Sequence, residues 1–247
     1  MSVVLGVACE DNGHFSAVTC LVDDVLVTSH TWLDGIVDAC RTWRGVNEGE
    51  AWYKYDPGDA TDLRPITVAG QRIKIHGPIR GEPLKPEASM WRRVLFSFCH
   101  TEPRPEVVIL ARDLDGYPKR AEGIKQVREG IRWPFRIVVA AAQPEIEAWR
   151  ACGFTPADER ERERLEALRR ELSFDPTTQS HRLTSHPNDA PTDAKRVLTR
   201  LCDGAPERVD ACLKDLAALR TRGRLNGAAD FLGEIDEHIV PLFSSPR

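Results

Sequence analysis

The sequence predicts an α/β protein: a mainly parallel sheet flanked by helices, with a helical C-terminal region. Two short apolar runs, Val3-Val4-Leu5-Gly6-Val7-Ala8-Cys9 and Val107-Val108-Ile109-Leu110-Ala111, each end close to an acidic turn, Glu10-Asp11-Asn12-Gly13 and Asp113-Leu114-Asp115-Gly116. Continuous apolar runs bounded by turn residues read as strands buried on both faces, the habit of parallel sheets. Stretches with helical spacing follow these runs, and a strand–helix–strand order implies right-handed crossovers.

The elements follow in order. After the first strand, Phe15, Val18, Leu21, Val22 and Val25 recur near helical spacing over His14 to Val27. Residues 44 to 65 carry Gly, Asp and aromatic residues without a period, and Trp52, Tyr53 and Tyr55 either pack locally or cover a cleft. Ile66-Thr67-Val68 and Ile73-Lys74-Ile75 read as strands joined by a turn at Ala69-Gly70-Gln71-Arg72, and His76 to Pro83 as a loop. Pro86-Glu87 opens a helix to about His100, with Pro in the first turn and an acid near the positive end of the dipole. Its stripe includes Met90, Val94, Leu95 and Phe98, with Trp91 expected on the helix surface. After the central strand come a helix over 119 to 131, a strand over Phe135 to Ala141, and a helix from Pro144 closed by Gly153. Composition changes after Thr155, which suggests a first domain over 1–155 and a helical region over 156–247. Asp158 to Leu172 is a charge-dense helix with a solvated face. Residues 173 to 192 read as irregular, and helices are expected near 192–202, 206–220 and 226–240.

Composition narrows the function classes. The chain has 247 residues, 41% hydrophobic and 29% charged, which marks an ordinary globular protein with enough length for a core. A net charge of −4 lacks the overall basic footprint of many nucleic-acid binders. It does not exclude nucleic-acid enzymes, which are acidic around their metal. The seven cysteines, Cys9, Cys20, Cys40, Cys99, Cys152, Cys202 and Cys212, form no C-x-x-C pair and match no zinc spacing. They read as a reduced, mainly buried set in a cytoplasmic protein. Glu10-Asp11 interrupts the apolar N-terminal stretch early, against a signal peptide, and no run has the length of a membrane span.

The chemistry concentrates at strand ends. Glu10 follows the first strand, Asp113 and Asp115 the central one, and Glu145 and Glu147 open the helix after the next. In an open α/β sheet the carboxyl ends of the strands form the ligand edge. Converging carboxylates repel, a divalent cation relieves the repulsion, and an all-oxygen donor set suits Mg²⁺ or Mn²⁺. Acids also end strands because they solvate turns. Glu145 and Glu147, two apart on a helix, point in different directions, so only one faces the cleft. The expected geometry is convergence of Glu10, Asp113 and Asp115 at one sheet edge. His14, His76, His100 and His181 lack spaced partners and read as structural or exposed, and Trp149 as core.

This arrangement resembles the TOPRIM superfamily, which places a Glu after its first strand and an Asp-x-Asp after a later one. Glu10 and Asp113-Leu114-Asp115 stand at those positions. The stretch Pro144-Glu145-Ile146-Glu147-Ala148-Trp149 resembles the Glu-Ala-Trp element of TOPRIM-like proteins found beside ATPase genes in bacterial defence loci, the RloB-like group, and Ser180-His181-Arg182-Leu183 also looks like that group. The resemblance covers residues 1 to 155 and the tail loosely. It implies a TOPRIM-like, Rossmann-like sheet and a Mg²⁺- or Mn²⁺-dependent nuclease. Glu10, Asp113, Asp115 and Glu147 would be its metal-ligating and catalytic residues. Two metals, if present, would sit about 3.5–4 Å apart. Arg112, Lys119 and Arg120 flank the acids as candidate phosphate-binding cations, each of which also reads as an ordinary surface charge. The implied partners are nucleic acid, DNA before RNA, and an ATPase subunit in anti-phage defence, with no membrane; a homo-oligomer is compatible. Gly6 inside the first strand and the insertion at 44 to 85 depart from the pattern, and Gly13 stands in for the glycine near the acidic turn.

Two other readings fit part of the pattern. Asp113-Leu114-Asp115-Gly116 matches the nucleophile motif of HAD-like phosphatases. Against it stand the motif's late position, Tyr117 where Thr or Val is usual, and the lack of an evident downstream Lys and acidic pair. A non-catalytic TOPRIM-fold subunit of a larger complex is the other.

Overall fold

A computed structural model describes residues 2–55, 67–68, 71–72, 75, 77–117, 119–187 and 190–244. The chain runs β1 (Val3–Cys9), α1 (Asn12–Ser29), α2 (Val37–Cys40), β2 (Arg41–Arg44), β3 (Tyr53–Lys54), β4 (Thr67–Val68), β5 (Gln71–Arg72), α3 (Ala88–Phe98), β6 (Val107–Asp113), α4 (Lys119–Gly130), β7 (Arg136–Ala142) and α5 (Ile146–Gly153). Five more helices follow: α6 (Glu159–Leu172), α7 (Ala194–Leu201), α8 (Pro206–Ala211), α9 (Leu216–Arg222) and α10 (Ala228–His238). The protein is α/β, with a mainly parallel sheet flanked by helices. The sheet order is β2-β1-β6-β7, and β3 also pairs with β1. The pairings of β1 with β2, β3 and β6 are all parallel. Every residue of β6, and every residue of β1 after Val3, is buried, as strands covered on both faces require. Among the described residues no helix is long and apolar enough to cross a membrane.

The chain divides into two compact units. The first comprises Met1–Phe15, Gly35–Ala111 and Tyr117–Val139; the second comprises Ser16–Asp34, Arg112–Gly116 and Ala140–Arg247. In the first, Trp91, Val94, Leu95 and Phe98 of α3 pack with Ala8, Val108, Leu110, Ile124, Val127 and Ile137. Trp91 is fully buried rather than on the helix surface, and its ring lies 4.8 Å from that of Tyr55. The buried positions of α3, Ala88, Trp91, Arg92, Val94, Leu95 and Phe98, form a wide stripe, and it turns Trp91 inward. Trp91→Ala is expected to cost about 3–5 kcal/mol of stability through the cavity it leaves, read by chemical denaturation. The aromatic residues around 52 to 55 pack locally: Trp52 stacks on Phe15 at 5.7 Å, and Tyr55 meets Trp91.

In the second unit, α6 buries Leu165, Leu168 and Leu172 against Phe154, Val197, Leu198 and Leu201 and turns most of its charges to solvent. Glu161 departs from that face. It is buried, and it accepts from Arg208 at 2.7 Å and from the Ala157 N–H at 2.7 Å.

Several elements differ from the sequence reading. Strands β2 and β3 fall in segments without strand periodicity; they are short and mostly half-exposed, so little burial marks them. The hairpin pairs Thr67 with Arg72 and Val68 with Gln71, so its second strand occupies part of the stretch expected as a turn. Ile66, Ala69, Gly70, Ile73, Lys74 and His76 lie outside the described residues. The helix expected over 206–220 is two, because the Asp215 side chain accepts from the Ala218 N–H and starts α9 afresh.

Candidate metal centre

The centre lies in the second unit and starts from the end of β6. Asp113 is the last residue of that strand and is buried. The next two N–H groups are tied to the segment after β7: Leu114 donates to the Ala142 carbonyl at 2.9 Å and Asp115 to the Pro144 carbonyl at 2.8 Å. Asp115 and Gly116 take φ of 47° and 74°, so the chain reverses through two left-handed residues, the second a glycine that adopts this conformation freely.

The third carboxylate comes from the N-cap of α5. Glu145 has φ −148° and ψ 170°, extended rather than helical, and is 3% exposed. The Ile146 N–H that follows donates to Asp113 Oδ1 at 2.9 Å. Asp113, Asp115 and Glu145 each place an oxygen within 4.8 Å of the others, a group that can hold a metal ion. Glu147, the ligand implied by the resemblance, sits in the first turn of α5 and is not part of this triad. The premise that both glutamates ride on one helix fails at Glu145, because the helix begins one residue later. Glu145 Oε1 and Glu147 Oε2 are both buried and find no hydrogen-bond partner among the described residues.

Burial, and then the charge of Glu147, push the Glu145 carboxyl up to about 8; Lys195 works against the shift, while Asp113 and Asp193 add to it. Lys195 Nζ lies 3.6 Å from Glu145 Oε2. Its side chain is largely exposed, and the partial desolvation of its ammonium, which disfavours the charge, is outweighed by the carboxylates of Glu147, Glu145 and Asp113, which hold the ammonium above its ordinary range. Lys195 stands in the first turn of α7, whose N-cap Asp193 accepts from the Arg196 N–H at 2.7 Å.

A buried amide supports the loop that carries Glu145. Asn226 is 0% exposed, and its backbone carbonyl accepts from the Gln143 N–H at 3.0 Å and from Trp149 Nε1 at 2.7 Å. Its side chain donates to the Ala148 carbonyl and to Ser180 Oγ, and accepts from the Ala228 N–H. Gly227 follows at φ 88°, where a Cβ would stand 2.2 Å from the Ala141 carbonyl oxygen. Ser180, singled out with His181-Arg182-Leu183 in the sequence, thus joins this support. Asn226→Ala keeps the backbone carbonyl that holds Gln143 but strips partners from the Ala148 carbonyl, Ser180 Oγ and the Ala228 N–H. It is expected to cost about 3 kcal/mol, read by denaturation, with faster amide exchange at Ala228.

The other sequence candidates fall as follows. Glu10, half-buried in the first unit, directly follows β1, the parallel neighbour of β6. Beside it, Asp11 Oδ1 accepts from the His14 N–H and meets His14 Nδ1, both at 2.9 Å, so Asp11 caps the start of α1 and holds the buried His14. Arg112 is 1% exposed, which corrects its alternative reading as a surface cation. Lys119 is exposed at the start of α4. Arg120 pairs with Glu87 at 3.4 Å and lies over the Tyr117 ring at 5.4 Å. The sequence reading missed Lys195, Asp193 and Asn226, all far along the chain from the strand ends; the only local signal was a capping Asp before a short helix. Comparison of the chain with protein-family models, with curated proteins and with solved structures returns no match.

Proposed function

We propose that Asp113, Asp115 and Glu145 bind Mg²⁺ or Mn²⁺ and that the protein is a metal-dependent nuclease hydrolysing phosphodiester bonds, in DNA before RNA. The observation that carries the reading is a pair of buried carboxylate oxygens, Glu145 Oε1 and Glu147 Oε2, that find no hydrogen-bond donor among the described residues, the first of them on a glutamate clustered with Asp113 and Asp115. Leaving such groups without a partner is costly, and a hard cation taken up by an all-oxygen set offsets the cost. The fit is to Mg²⁺ or Mn²⁺ rather than to a softer ion, since the triad offers only carboxylate oxygens. A metal held here supplies a water of lowered pKa and positive charge against the phosphoryl oxygens.

The chain's own residues do the rest. The Ile146 N–H fixes the orientation of Asp113. Lys195 offsets part of the acids' repulsion before a cation arrives. The backbone carbonyl of Asn226 holds the Gln143 N–H and the Trp149 indole on either side of Glu145. The TOPRIM resemblance supports an ATPase partner and a role in anti-phage defence.

The test incubates the full chain with supercoiled and linear DNA and with RNA, under Mg²⁺, Mn²⁺ or EDTA, alone and with a candidate ATPase. A parallel arm offers a small phosphomonoester. Cleavage that requires metal and disappears in Asp115→Asn supports the nuclease. Turnover of the monoester alone would favour a phosphatase, and no turnover in any arm would sink the enzymatic reading.

A further inference from the structure

We propose that Cys202 and Cys212 form a reversible intramolecular disulfide, made by exchange with a low-molecular-weight disulfide such as oxidised glutathione. The two sulfurs lie 3.8 Å apart, and the residues are 1% and 0% exposed. Cys202 caps the C-terminal end of α7 and Cys212 that of α8. This dithiol lies outside the acidic triad, and the proposal does not depend on the function assigned to that triad.

Buried thiols are ordinarily inert, so the cover matters. The cover here is thin. No residue of α8 is buried, and the turn before it carries Asp203 and Gly204 at φ of 55° and 70°, both exposed. Much of the hold on α8 comes through one side chain. Arg208 reaches Glu161 at 2.7 Å and the Thr155 carbonyl at 2.7 Å, and stacks over the Phe154 ring at 4.6 Å. A short element with little buried surface opens locally at low cost, and opening it uncovers both sulfurs together. Arg208 also brings its guanidinium to 4.0 Å from Cys212 Sγ. The contact with the Cys212 thiol, together with the nearby Arg208 charge, holds the Cys202 thiol below its ordinary range, which favours Cys202 as the first nucleophile.

The exchange balances. The Cys202 thiolate attacks one sulfur of the small disulfide and expels one thiolate, which takes up a proton and leaves as a thiol. Cys212, giving up its proton, then attacks the Cys202 sulfur of the mixed disulfide. The Cys202–Cys212 bond forms and the second small thiol leaves with that proton. Two protein thiols are oxidised and one small disulfide is reduced to two thiols.

The experiment treats the native full-length chain with oxidised glutathione, alkylates the remaining thiols and maps tryptic peptides. The expected product joins peptides 201–208 and 209–214 with the loss of two hydrogens. It should raise Tm by about 5 °C, reversibly with dithiothreitol. Cys212→Ser should instead trap glutathione on Cys202. Cys20, Cys40 and Cys99, all more exposed than the pair, serve as internal controls. Alkylation of both Cys202 and Cys212 while those three take up glutathione would overturn the proposal, as would a crosslink that forms only in denaturant. Should Cys212→Ser not fold, the peptide map of the unsubstituted protein decides alone.

Discussion

Asp113→Asn is expected to abolish the stabilisation of the protein by Mg²⁺ or Mn²⁺, and to cut metal-dependent cleavage by at least about 100-fold, while leaving the metal-free chain as stable as the parent or more so. The amide oxygen of Asn keeps an acceptor for the Ile146 N–H, the bond that orients the side chain at 2.9 Å. What disappears is the charge that acts on Glu145 and Lys195. Removing one of several repelling acids relieves the unloaded site and ruins it for a cation, since a neutral amide is a poor ligand for a hard divalent ion. Thermal melts with EDTA and with graded Mg²⁺ separate the two effects. A large loss of metal-free stability with an unchanged metal response would make Asp113 a structural residue and remove it from the site.

In the metal-free protein, stability is expected to fall as pH rises from about 5 to about 8, by a few kcal/mol. Glu145 is pushed up to about 8 in the folded chain, by burial and by Glu147, from an ordinary value of 4.5. Below the ordinary value both states hold the proton, and the folded state keeps its full advantage. Between the two values the unfolded chain releases the proton and the folded chain retains it, so the advantage drains away as pH rises. Above about 8 both are ionised, and the loss is complete. Glu145→Gln should flatten this slope and leave the variant more stable than the parent at pH 8. Mg²⁺ should bind more tightly toward pH 8, because below it the cation must displace the Glu145 proton. Equal slopes in parent and variant, measured by denaturation at pH 5, 6.5 and 8 in EDTA, would show that Glu145 does not titrate in this way.

Much of the frame was legible in the residues. The unbroken apolar runs of β1 and β6 read as parallel strands because burial on both faces suppresses alternation. The charge-dense α6 read as a helix because its alternating Glu and Arg fit a solvated face laced with side-chain pairs, and the structure adds the leucines buried beneath that face. Strands β2 and β3 left no such mark: their residues are at most half-buried, so pairing with β1 rather than periodicity makes them strands. Trp91 was misplaced because helical spacing gives the period of a stripe but leaves its width and centre to the neighbours it packs on.

The sequence by itself determined which strand ends carry acids: Glu10 after β1, Asp113 and Asp115 at the end of β6, and a Glu pair after β7. Those assignments need only local patterns, an apolar run and the turn residues that stop it. The choice between Glu145 and Glu147, and the arrival of Lys195 and Asn226, were decided by tertiary structure alone. Glu145 joins the triad because its backbone stays extended at the N-cap of α5. Beside it, the Ile146 N–H is held by Asp113 and the Gln143 N–H by the Asn226 carbonyl. Helical phase cannot foretell a side chain that stands one residue before the helix begins, and contacts to residues far along the chain leave no period in the sequence.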